Sequence, residues 1–131
     1  MKRVMWALIS IGSVVALVNA GQPSAKAGDA ACGEKGQPSC PLQGWMETNM
    51  DKAVEKSDAK ALAAAFEKAA SFVPDPKWNQ GDSGWSKIAS AGALAAAKGD
   101  IAGAKKECKS CHKAWRDKYK GSFRMKPVSA K

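Results

Sequence analysis

The sequence predicts an all-α fold, an up-down-up-down four-helix bundle. Three observations carry that expectation. Four segments place apolar residues at helical spacing, short breaks rich in Pro, Gly, Ser and Asp separate them, and no segment alternates in the manner of a strand. Short connections between consecutive helices favour antiparallel neighbours, which is the bundle topology. At 131 residues the chain suits one domain.

The chain starts with a short positive stretch, Met1-Lys2-Arg3, followed by an apolar run over residues 4–18 that ends at Val18-Asn19-Ala20. This pattern predicts a signal peptide over residues 1–20, with Ala25 or Ala27 as alternative cleavage points. An uncleaved anchor is the other reading, but about 15 apolar residues fall short of the ~20 that a spanning helix requires. The mature protein is therefore expected to be soluble, periplasmic or otherwise exported, with no stable membrane insertion.

Residues 21–41 read as a flexible lead-in, rich in Gly, Ala, Ser and Lys and without periodicity over residues 21–31. Within this lead-in, Cys32 and Cys40 flank a turn-forming heptapeptide. Outside the reducing cytosol they most simply form a disulfide, the alternative being two free thiols. Closing so small a loop contributes about 2–3 kcal/mol on the chain-entropy account.

The four-helix domain is expected over residues 42–120. The first helix, Leu42 to Lys56, has Leu42, Trp45, Met46, Met50, Ala53 and Val54 on one face, with Pro41 at its start. Ser57 or Asp58 caps a second helix over 58–72 with Leu62, Ala65, Phe66, Ala69 and Phe72 inward. Pro74 and Pro76 end it, and residues 74–84 are dominated by turn formers. A third helix over 85–98 shows Trp85, Ile88, Ala91 and Ala95, and Gly99 suits its C-terminal cap. Asp100 caps the fourth, 101–120, whose stripe is Ile101, Ala104, Cys108, Cys111, Trp115 and Tyr119. Residues 121–131 form a basic tail. Helices two and three are dominated by alanine, which favours helix but buries little apolar area, so the side chains alone make a thin core. A large, flat, apolar cofactor near one end would complete it.

Cys108-Lys109-Ser110-Cys111-His112 identifies that cofactor as haem c, one per chain. Two thiols one helical turn apart can add across the two vinyl groups of a porphyrin, and the next imidazole then lies beneath the iron. His112 is the single histidine of the chain. A thioredoxin-type dithiol would call for a βαβ pattern, and a zinc site would need further Cys or His ligands.

Only 19 residues follow His112. The helix and methionine loop that class I cytochromes c place after their motif do not fit there. A motif inside the last helix of a four-helix bundle instead resembles the class II cytochromes, the cytochrome c′ and c556 family. The resemblance covers residues 42–120 and is most specific from Cys108 to Arg116. Where that family commonly has Tyr-Arg, this chain has Trp115-Arg116, so the resemblance implies that Arg116 meets a haem propionate while the aromatic is changed. It also implies a sixth ligand near the start of helix one. Met46 and Met50 stand there one turn apart, with Met125 ranked third and ordinary core packing as the alternative role. Counting residues from the Gly99 and Ser57 turns puts Met46 nearer than Met50 to the height of His112. Trp45, Trp85 and Trp115 are candidate walls of the pocket.

Charge is unevenly distributed. Residues 21–104 hold nine Lys against ten acids, and residues 105–131 hold ten Lys and Arg against two. The basic run Lys105, Lys106, Lys109, Lys113, Lys118 and Lys120 surrounds the attachment site and suits an acidic redox partner protein, the alternative being a solvated helix face. Nucleic acid does not suit an exported chain. The reading is an electron carrier, not an enzyme, with a homodimer possible for a bundle of this kind. Its rivals are a five-coordinate haem protein that binds NO or CO, and a haem-free dithiol or zinc protein.

Overall fold

The computed structural model describes residues 32–128. The segment read as a signal peptide and residues 21–31 lie outside the described residues, as do the last three. The described residues contain helices and turns and no strand. No helix among them is long and apolar enough to cross a membrane.

The first helix of the bundle is a composite of three segments. An α-helical segment, α1 (Pro41–Met46), passes into a π-turn (Glu47–Asp51) and continues as α2 (Lys52–Glu55). The backbone stays in the right-handed helical region across both junctions, so the three form one rod. An unbroken α-helix was the expectation, and the π-turn is the correction. Two side chains support the widened ladder: Thr48 Oγ1 donates to Gly44 O at 2.8 Å and Asn49 Nδ2 donates to Trp45 O at 2.8 Å. Such back-bonding to upstream carbonyls competes with the regular i to i−4 pattern. The extra residue turns everything after it by about 100°. Met50, inside the π-turn, is buried at 7% exposure, while Met46 before it is half-buried.

The remaining helices follow the expected order. Asp58 caps α3 (Ala59–Ala70) by accepting from Ala61 N–H at 2.9 Å. Asp100 caps α5 (Ile101–Ser122) by accepting from Gly103 N–H at 2.7 Å. Between them lies α4 (Trp85–Ala97), ended by Gly99 at φ +77°. Here a left-handed conformation is needed, and glycine adopts it without a steric penalty. The segment expected to be turns alone holds one 3₁₀ turn, Pro76–Asn79, initiated by Asp75 accepting from Lys77 N–H.

α3 and α4 run antiparallel. Trp85 Nε1 at the start of α4 donates to Ala69 O at the end of α3, at 2.8 Å, and Gly92 in mid-α4 lies against the Phe66 ring in mid-α3. A Cβ on Gly92 would overlap that ring. Glycine is thus required here by close approach.

α3 packs along α4 and α4 along α5, while the first helix meets α3 through the π-turn and α2. Little backbone contact joins α1 to α5. Buried side chains accordingly form two clusters. One is alanine-rich and includes Met50, Leu62, Phe66, Ala89 and Ala104. The other holds Leu42, Trp85, Ile88 and Trp115.

The ends of the described chain meet. Cys32 and Cys40 are at disulfide distance, with sulfurs 2.06 Å apart and Cα atoms 4.9 Å apart. Beyond α5 the chain turns back: Arg124 pairs with Glu34 at 3.0 Å, Lys126 Nζ donates to Pro74 O at 2.6 Å, and Val128 packs against the aromatic cluster. Met125 Sδ lies 3.1 Å from Cys32 Sγ. A disulfide sulfur carries no proton, so this is a sulfur–sulfur contact.

Candidate cofactor site

Where the first helix and α5 diverge, a cavity of about 440 Å³ opens between them. That lies within the roughly 300–1,000 Å³ typical of cofactor and ligand sites. From α5, residues Cys108, Cys111, His112 and Arg116 line it, because positions i, i+3, i+4 and i+8 share one helical face. From the first helix, Met46 and Met50 line it as well. The two thiols are half-buried and border different clusters, Cys108 the alanine-rich one and Cys111 the aromatic one. The cavity therefore lies across the seam between the clusters.

The three tryptophans named from sequence separate. Trp85 and Trp115 line the cavity and Trp45 does not. Trp45 instead packs edge-on against Phe72, with ring centroids 4.8 Å apart. Its turn of the helix precedes the π-turn and faces the end of α3. Met125 is also absent from the cavity wall, being held beside Cys32.

Trp115, which stands where the resemblance would place tyrosine, is fixed on three sides. Its Nε1 donates to Ser83 O at 2.9 Å, the Trp78 ring stacks on it at 4.8 Å with planes 16° apart, and Lys118 Nζ lies 4.7 Å from its ring centre. Sequence reasoning missed Trp78, which the 3₁₀ turn carries into the stack; Phe123 meets it edge-on at 5.2 Å. An aromatic flanked by turn formers was the available signal.

Burial, reinforced by the Asp51 carboxylate, raises the Cys108 thiol above its usual range. Burial and the neighbouring Cys108 push Cys111 up to about 11. Both thiols are thus neutral at physiological pH, the reverse of the lowered values that activate redox dithiols. His112 stands at the cavity mouth with its side chain partly in solvent. Partial shielding and the Arg116 charge lower its protonation range, so the imidazole is neutral, the form that ligates metal. Among the described residues no group of three or more His, Cys, Asp or Glu side chains converges in a way that would hold a metal ion.

The residues present fit a haem. The cavity wall is mostly apolar, from Leu42, Phe66, Ala69, Ala89 and the two tryptophans. Into it open two neutral thiols, one neutral imidazole and two thioethers. On the same helix Lys105, Lys106, Lys109, Lys113, Lys118 and Lys120 are all exposed, and of these Lys120 lines the cavity. Comparison of the chain with family models, with curated proteins and with solved structures finds no match.

Proposed function

We propose that the protein is an exported monohaem c-type cytochrome of the four-helix, class II kind, working as an electron carrier. One observation carries this reading: both thiols of Cys108-x-x-Cys111-His112 and its imidazole line a single apolar cavity that two methionines face from the opposite helix. Haem would supply the redox chemistry, its iron alternating between ferric and ferrous.

The chain's own residues hold and tune it. Cys108 and Cys111 would hold it through two thioethers, each S–H adding across a vinyl double bond with its hydrogen going to the neighbouring carbon. His112 offers a nitrogen lone pair, and Met46 offers a sulfur from the facing helix. Met46 is chosen because it borders both core clusters, as the two cysteines together do, whereas Met50 is packed into the alanine-rich one. Arg116, on the cavity wall, would meet a carboxylate of the cofactor. Trp85 and Trp115 exclude water, which keeps the local dielectric low and strengthens the influence of each fixed charge. The exposed lysines of α5 guide an acidic partner, an effect that salt screens over ~8 Å at physiological strength.

Optical spectra of the oxidised and reduced holoprotein test the assignment. The wild type should be low-spin and show the weak red-edge ferric band that reports sulfur ligation. Met46→Ala should lose that band and bind carbon monoxide readily, and Met50→Ala should keep it. A wild type already high-spin would point to gas binding, and the reverse pattern in the variants would transfer the ligand role to Met50.

A further inference from the structure

Four side chains at strict four-residue intervals line the cavity along one face of α5 and the turn after it: His112, Arg116, Lys120 and Arg124. Three are cations, and they extend away from the attachment site toward the end where the Cys32–Cys40 loop closes over the cavity. That loop supplies Gly33 and Cys40 to the wall, and its Glu34 holds Arg124 at 3.0 Å. Arg124 is well shielded, its side chain retaining 19% exposure, while Glu34 lies largely in solvent at 65%. A cation held at low exposure in a mostly apolar cavity interacts strongly with any anion placed beside it, because little water intervenes to screen it.

Resting on the haem reading above, we infer that Lys120 and Arg124 form a second carboxylate-binding end of the cofactor site beyond Arg116, with Arg124 kept in place by the disulfide loop. A haem carries two carboxylates, and arginine's planar fork recognises such groups in bidentate fashion. Among the described residues the acids on the cavity wall are Glu47 and Asp51, both on the facing helix. The carboxylate end of the cofactor is therefore drawn to the α5 side and toward the tail. This gives the Cys32–Cys40 loop a role beyond stability: it positions a charge that tunes the haem.

The sign of the effect follows from charge. A cation beside the cofactor disfavours the more positive ferric state, so its removal lowers the midpoint potential. It also favours ionised carboxylates, so its removal raises the pH at which the potential begins to depend on pH. Spectroelectrochemical titration of the holoprotein across pH reads both quantities. Arg124→Gln and Lys120→Gln should each lower the potential and move the pH break upward, and Arg124→Lys should restore much of the change. Lys98→Gln, which removes the same charge from an exposed site at the end of α4, should leave both readouts at the wild-type values. Unchanged potential and unchanged pH break in both Gln variants would overturn the inference. So would equal shifts in Lys98→Gln, which would reduce the effect to net charge. Lys120 is exposed on a helix, so its variant keeps the test open even where Arg124→Gln fails to fold. Absence of covalent haem in the wild type is a separate result, and it would remove the haem reading itself.

Discussion

Tyr119 is the single tyrosine in the chain and reports on one wall of the cavity. Burial disfavours its charged form and pushes the phenol up to about 12. In the unfolded chain the same group titrates near 10. The unfolded state therefore releases its proton first, and stability that is complete below pH ~10 is lost as pH rises toward 12. The loss attributable to this residue is at most about 2–3 kcal/mol, at 1.36 kcal/mol per unit. Phenolate absorbance should show a native midpoint near 12 and a denatured one near 10, and Tyr119→Phe should flatten this part of the stability profile relative to wild type. A native midpoint near 10 would mean that the side chain is open to water. Cys111, pushed up by the same kind of burial, belongs to the same shielded wall.

At the scale of elements, short-range chemistry was legible in the sequence. Asp58, Asp100, Gly99 and Pro41 each sit at the helix end that their side chains or backbone preferences indicate, and helix bounds fall within two residues of expectation. The π-turn was not legible. Its one extra residue leaves the apolar spacing of Leu42, Trp45, Met46 and Met50 looking like an ordinary helix, and the hydrogen bonds of Thr48 and Asn49 emerge only in three dimensions. Gly92 carried no sequence signal either, since its need arises from a ring on another helix. Alanine there would gain about 1 kcal/mol in helix propensity. Against this stands overpacking on Phe66, which is 3% exposed, at a cost of roughly 1–3 kcal/mol. Gly92→Ala should therefore lower the melting temperature of the holoprotein. A variant as stable as wild type or more so would show that Phe66 yields without penalty.

For the whole molecule, the organising feature is a bundle left open along one seam. Three of the helices pack in sequence, the first swings away from the last, and alanine-rich faces leave space that side chains do not fill. The near half of the site was readable from a pentapeptide, because its residues lie within one helical turn. The far half was readable only in part: the resemblance pointed to Met46 and Met50, which line the cavity from across the bundle, whereas Arg124 reaches it only because the chain folds back after Ser122 onto the Cys32–Cys40 loop. Charge follows the same division, the basic C-terminal stretch supplying Arg116, Lys120 and Arg124 to the cavity wall. All of these features converge on one claim, that a haem joined to Cys108 and Cys111 fills the seam. Intact mass under denaturing conditions tests it most directly, on protein matured in an oxidising compartment with haem-attachment machinery. The account predicts the mass of the processed polypeptide plus one haem, colour that survives acid-acetone extraction, and loss of both in a Cys108→Ala, Cys111→Ala variant. A bare polypeptide mass, with all colour passing into the solvent, would contradict it.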